Sequence, residues 1–157
     1  GMTQTQWRDD FTRIVRGRAQ AYDHRAGAYH LEMPFENVHG NGGLLTTVDD
    51  LLRWNHALAS GALGGILGEL ETRGRLAGGR QIEYALGLRV APYRGVREVA
   101  HSGATAGYRA HLARYPDHGV SVAVLCNAAE ANPTQLAHRR LRWRRGGPRG
   151  LGWNEQA

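Results

Sequence analysis

The residues best suited to chemistry stand together in Val99-Ala100-His101-Ser102-Gly103-Ala104. A histidine, a hydroxyl and a glycine fall at the end of a predicted strand. Backbone N–H groups there can face a ligand, and a glycine lets a substrate approach the backbone closely. Other chemistry is ruled out within the chain. All 20 cationic residues are arginines, and there is no lysine. No Schiff base, lysine general base or Ser-x-x-Lys pair can therefore form inside these 157 residues. The serines are Ser60, Ser102 and Ser121.

Eight histidines raise the question of metal. None forms a His-x-x-x-His pair at helical spacing, and His111 and His118 flank a turn. The single cysteine, Cys126, excludes an internal disulfide and a cysteine cluster. Neither a metal nor another cofactor is expected. Cys126 ends the apolar run Val122–Cys126 and reads as a small buried hydrophobe. Gly40-Asn41-Gly42-Gly43 lacks the G-x-G-x-x-G spacing and a phosphate-binding lysine, so it reads as a tight turn into a helix. Trp54, Tyr84, Tyr108 and Tyr115 read as packing residues, and Asn55 as a hydrogen-bonded core or edge residue.

A length of 157 residues suits one ordinary domain with a single core, and 41% hydrophobic residues suit a globular one. No apolar run reaches the ~18 residues of a membrane span, so no transmembrane segment is expected. The start, Gly1-Met2-Thr3-Gln4, lacks the charged and apolar regions of a signal peptide. A glycine before the methionine is expected to be a tag scar or the cut edge of a longer protein. The formal charge of +6 is uneven. Arg139, Arg140, Arg142, Arg144, Arg145 and Arg149 stand near the end of the chain against one acid, Glu155. A body close to neutral argues against a specific nucleic-acid-binding face. The arginine-rich tail alone could attract nucleic acid or anionic lipid by charge.

The elements that must position these residues follow from period and turns. Arg18–Tyr22 and Ala28–Leu31 read as short strands around Asp23–Gly27. Thr47 and Asp50 form a capping box for a helix that carries Val48, Leu51, Leu52, Asn55 and Leu58 at helical spacing and stops at Gly61. A weaker helix uses Leu63, Ile66, Leu67 and Leu70. After Gly78-Gly79 the period becomes two. Strands are expected over Tyr84–Val90, Val96–Ser102, Tyr108–Tyr115 and Val120–Cys126, with turns at Pro92–Gly95 and Pro116–Gly119. Short turns make neighbours antiparallel. The fold class is α+β, an antiparallel β-meander with packed helices. Residues 1–137 form the folded part, and 138–157 an Arg/Gly-rich tail expected to be disordered or ill-fitting.

Several segments, in order, resemble the serine β-lactamase and penicillin-binding-protein-like hydrolases. Gly1-Met2-Thr3-Gln4-Thr5 is similar to the "LGM-x-x-T" segment, and Arg18-Ala19 with Tyr22 to the paired strands that follow. Gly42-Gly43-Leu44-Leu45-Thr46-Thr47-Val48-Asp49-Asp50-Leu51 is similar to "GG-x-x-(S/T)T-x-x-DL". Tyr84-Ala85-Leu86-Gly87-Leu88 resembles the "Y-G-L-G" strand. His101-Ser102-Gly103 stands where the family carries Lys-Thr-Gly or His-x-Gly, and Gly107-Tyr108 and Asn127 match the next landmarks. The resemblance implies a partial β-lactamase/DD-peptidase-like fold lacking its N-terminal half. It covers residues 1 to about 138.

The resemblance also implies roles. His101 would be the catalytic element that binds a substrate carboxylate or tunes proton transfer at the nucleophile. Ser102, Gly103 and Ala104 would line the substrate, with an oxyanion-hole N–H at Ala104. The parent would hydrolyse amide or ester bonds of a small molecule or peptide through an acyl-enzyme. The Ser-x-x-Lys and Tyr/Ser-x-Asn elements would precede residue 1, so this chain alone is expected to be inactive. Family members are often periplasmic or secreted. The alternatives are a non-catalytic remnant or partner-binding module, and less favourably an arginine-tail nucleic-acid binder.

Overall fold

Short turns fold the second half of the chain into a four-stranded antiparallel sheet of spatial order β5-β6-β7-β8. The strands are β5 (Arg89–Tyr93), β6 (Val96–Thr105), β7 (Tyr108–Tyr115) and β8 (Val120–Cys126). The computed structural model describes residues 1–34, 39–40 and 42–141. Arg94 and Gly95 join β5 to β6 as a two-residue hairpin, both with positive φ (50° and 83°), which matches the twist of the flanking strands. Between β7 and β8, Pro116–His118 form a 3₁₀ turn closed by Gly119 at φ 63°.

The meander is the one the sequence predicts, but two boundaries move. Tyr84–Leu88 do not join the sheet as a strand; Tyr84 touches Arg89 through an isolated bridge. The Ala85 N–H donates to the Leu88 carbonyl across Gly87, whose φ of 76° turns the chain. Tyr84 and Leu86 are consequently exposed. Pro92 and Tyr93, expected in the turn, belong to β5. β6 runs beyond Ser102 to Thr105, because Gly103 and Ala104 pair with Ala110 and Arg109 of β7.

Alternation gives the sheet two working faces. One face carries Glu98, Ala100 and Ser102 of β6, with His111 and Ala113 opposite Ser102 and Ala100. Ala100, Ala113, Tyr115, Val120 and Leu141 form its buried core. Leu141 follows helix α3 (Pro133–Arg140), whose N-cap Asn132 accepts the Gln135 N–H at 2.9 Å. α3 continues through Arg140 and so crosses the boundary expected at residue 137. Leu141 and Ala137 are buried, which is why the helix persists despite its arginines. The arginine tail beyond residue 141 lies outside the described residues.

The first half of the chain surrounds this sheet. β2 (Tyr22–Arg25) and β3 (Ala28–Leu31) pair around Ala26-Gly27, a tighter turn than the expected Asp23–Gly27. Residues 18–21, expected in the first strand, precede it. β1 (Gln6–Trp7) pairs with β4 (Leu44–Leu45) just ahead of α1 (Val48–Ala59). The Thr47 hydroxyl caps α1 by accepting the Asp50 N–H at 3.3 Å. The reciprocal half of the expected capping box is replaced. The Asp50 carboxylate turns to the Gln4 N–H (2.8 Å), the Thr5 hydroxyl (2.7 Å) and Arg53 (2.6 Å). The weak second helix shortens to α2 (Ile66–Leu70) and buries none of its residues. Just past it, Glu71 pairs with Arg97 and Arg114 from the second face of the sheet. Cys126 is half-buried rather than buried.

Candidate functional site

The site builds from where β5 stops. β5 pairs with β6 only between Val96 and Ala100. From His101 to Ala104, β6 pairs with β7 alone, so its other edge has no strand partner among the described residues. An unpaired edge presents N–H and C=O groups that can bind an extended ligand. The turn at Gly87 that frees this edge also brings the Tyr84 hydroxyl to 2.9 Å from His101 Nε2. The rings meet edge to face at 6.0 Å. Both side chains are exposed. They form one wall of a site, open to solvent.

The four residues singled out from the sequence divide between the two faces. His101 and Gly103 share a face, opposite Leu112 and Ala110. A Cβ added at Gly103 would meet only Ala110 Cβ, at 3.9 Å. Nothing within the described chain therefore demands glycine at 103. Ala104 contributes its backbone on the same edge. Ser102 departs from the expected role, because alternation turns its side chain to the α3 face. There Ser102 Oγ lies 2.8 Å from His111 Nδ1 and 3.0 Å from Thr134 Oγ1. Only its backbone runs along the open edge.

A second cluster of titratable groups lies on that α3 face. Glu98 accepts the Tyr115 hydroxyl at 2.5 Å and faces His138 Nε2 at 2.6 Å, with Arg89 at 3.7 Å. The Tyr115 pKa is pushed far up, first by burial and then by the bond to Glu98. The His138 ring stacks on Tyr93 at 3.7 Å. His111 is 3% exposed, and burial pushes its pKa down. The Glu98 charge opposes that shift, while His138 and His101 add to it. Burial therefore favours the neutral imidazole. Helical spacing could not reveal this cluster, because its members come from β6, β7 and α3. The signal present in sequence is that Glu98 and His111 fall at the same alternation as Val96, Ala100, Ala113 and Tyr115. Tyr84 was read as packing; its place in the "Y-G-L-G"-like segment next to a glycine turn was the available clue.

A concavity of about 370 Å³ opens elsewhere, between α1 and the β7–β8 turn, lined by Leu52, Asn55, His56 and Arg114 among others. It does not reach His101. Asn55 is buried, as expected, donating to the Ala113 carbonyl at 3.2 Å.

A model of the Beta-lactamase family matches residues 1–146. The chain belongs to the Beta-lactamase family. Its fold is similar to that of the octameric penicillin-binding protein homologue from Pyrococcus abyssi, with a TM-score of 0.71 and 23% identity. That likeness covers 87% of this chain and 32% of the other, so the chain spans about a third of the length of that relative. No curated protein matches the sequence. Within the Beta-lactamase fold, the family landmarks noted in the sequence prove to hold one another. The Gln4-Thr5 segment and the "GG-x-x-TT-x-x-DL" helix start meet at Asp50. Tyr108 donates to the Ala19 carbonyl at 2.6 Å and accepts from Arg18 at 3.1 Å. Asn127 donates to the Gln20 carbonyl at 2.8 Å. Among the described residues, no helix is long and apolar enough to cross a membrane.

Proposed function

We propose that this chain supplies the His-Ser-Gly wall of a serine hydrolase that works through an acyl-enzyme on amide or ester bonds. The observation that carries the reading is the open β6 edge at His101–Ala104, with His101 exposed beside the Tyr84 hydroxyl. A substrate lying along this edge would pass the bare α-carbon of Gly103 on the face that carries His101. The nucleophilic serine and its lysine belong to sequence outside these 157 residues, since no lysine occurs within them. The serine oxygen would attack the carbonyl carbon, and the oxyanion would be held in part by the Ala104 N–H. Collapse would expel the amine or alcohol, and water would then cleave the acyl-serine ester. His101 would orient an anionic substrate group or assist proton transfer at the nucleophile.

The competing reading is a non-catalytic partner-binding module. The exposed apolar side chains Leu52, Trp54, Leu63 and Ile66 favour an interaction surface of some kind. They suit the missing half of the hydrolase equally well. Electrostatic binding of nucleic acid would depend on residues beyond 141.

The reading is tested by exposing the 157-residue chain to a fluorescent penicillin and to an activated ester, followed by mass spectrometry. No covalent adduct and no turnover above background are expected. A stoichiometric acyl adduct on Ser60, Ser102 or Ser121 would overturn it.

A further inference from the structure

We propose that Glu98, His111 and His138 form a binding site for a zinc-type divalent cation that ties helix α3 to the sheet. The site lies on the face of the sheet opposite His101 and uses none of the residues assigned to hydrolysis except the Ser102 hydroxyl behind it.

Three observations carry the proposal. First, one ligand atom from each of the three residues lies within 4.8 Å of the other two. Ligands around a tetrahedral zinc at ~2.0–2.1 Å stand ~3.3 Å apart, so modest side-chain shifts would bring the three atoms around one ion. His138 Nε2 and Glu98, now 2.6 Å apart, need only separate slightly. Second, His111 Nε2 is buried and has no hydrogen-bond partner among the described residues. A buried polar nitrogen is normally satisfied, and an orphan asks for a missing partner. Proton sharing between His138 and Glu98 satisfies those two groups but leaves His111 Nε2 orphaned. A cation among the three satisfies all of them.

Third, the surroundings are those of a metal ligand. His111 Nδ1 faces Ser102 Oγ at 2.8 Å and Thr134 Oγ1 at 3.2 Å. With the proton on Nδ1 donated to these hydroxyls, Nε2 keeps its lone pair free for a cation. Ligating histidines are commonly oriented this way by an oxygen behind the ring. Tyr115 orients Glu98 from behind, and Tyr93 stacks on His138. Two imidazoles and one carboxylate suit zinc and its neighbours better than calcium or magnesium, which prefer all-oxygen sets. His138, the most exposed of the three at 19%, marks the side from which an ion enters.

The test uses the 157-residue chain with any affinity tag removed and with metal stripped by a chelator. Co²⁺ serves as the visible probe and Zn²⁺ as the competitor. One equivalent of Co²⁺ should bind saturably, with the visible absorption of a four-coordinate N/O site, and Zn²⁺ should displace it. His111→Ala and His138→Ala should each weaken Zn²⁺ binding by at least about 100-fold, and Thr134→Val by about tenfold. His30→Ala, on the exposed β3 strand, should bind as the parent does. Should His111→Ala fail to fold by circular dichroism, His138→Ala and Thr134→Val carry the same comparison. No saturable binding to the parent chain, or binding that survives His138→Ala unchanged, would overturn the proposal.

Discussion

Single residues explain why the family landmarks are where they are. Asp50 is fully buried, yet its carboxyl pKa is lowered. Burial alone would raise it; the Thr5 hydroxyl, the Gln4 N–H and Arg53 outweigh that. A carboxylate favoured in the folded state stabilises the fold above its unfolded pKa. That contribution is lost as pH falls through the lower folded value. Asp50→Asn should therefore lower the Tm at neutral pH, and it should flatten the fall in Tm below about pH 4. Thermal melts of both proteins across that range check it. Gly107 is a case of close approach. A Cβ there would lie 2.7 Å from Tyr22 N and 2.8 Å from Tyr22 O, both backbone atoms. Gly107→Ala must push the β2–β3 hairpin away from the sheet, at a cost of about 1–3 kcal/mol in urea unfolding. Both residues were legible as motif positions; their partners, dozens of residues away, were not.

At the scale of elements, sequence period located what local geometry controls. β7 and β8 have the expected bounds, and α1 begins at the expected cap. What failed depended on tertiary partners. Tyr84–Leu88 alternate like a strand, but Gly87 bends them away before any neighbour is met. That bend opens the β6 edge, so the strongest feature of the candidate site follows from a strand that does not form. The motif assigns Ser102 to the ligand side, while the pleat places its hydroxyl under α3. The turn to arginine in its composition predicts that α3 fails at 137. Helices are held mainly by the face they bury, and Leu141 fills the core between Ala100, Ala113 and Tyr115. Leu141→Ala should cost about 2–5 kcal/mol, the range for emptying a core leucine site. Equilibrium unfolding in urea would show it. A near-zero change would mean that α3 packs without contributing.

At the scale of the whole molecule, the chain is a sheet with two unequal coats. The α3 face is closed over an aliphatic core and the Glu98–His111–His138 cluster. The other side leaves large apolar side chains of α1 and α2 in solvent, among them Trp54 at 39% and Ile66 at 46% exposed. The β6 edge with His101 is exposed as well. A Beta-lactamase-family chain that spans 32% of a structural relative would show such a surface if a serine-bearing half packs against it. On the proposed function, the edge would be useful only in an assembled protein, with the chemistry divided between two halves.

The most direct measurement is kcat/KM for amide or ester hydrolysis by this chain joined to a family half that carries Ser-x-x-Lys, compared with the same protein bearing His101→Ala. Activity is expected only in the joined protein. His101→Ala is expected to lower kcat/KM by about ten- to a thousandfold, with circular dichroism and Tm unchanged. An equal rate in the folded His101→Ala protein would contradict this and remove the β6 edge from the catalytic site.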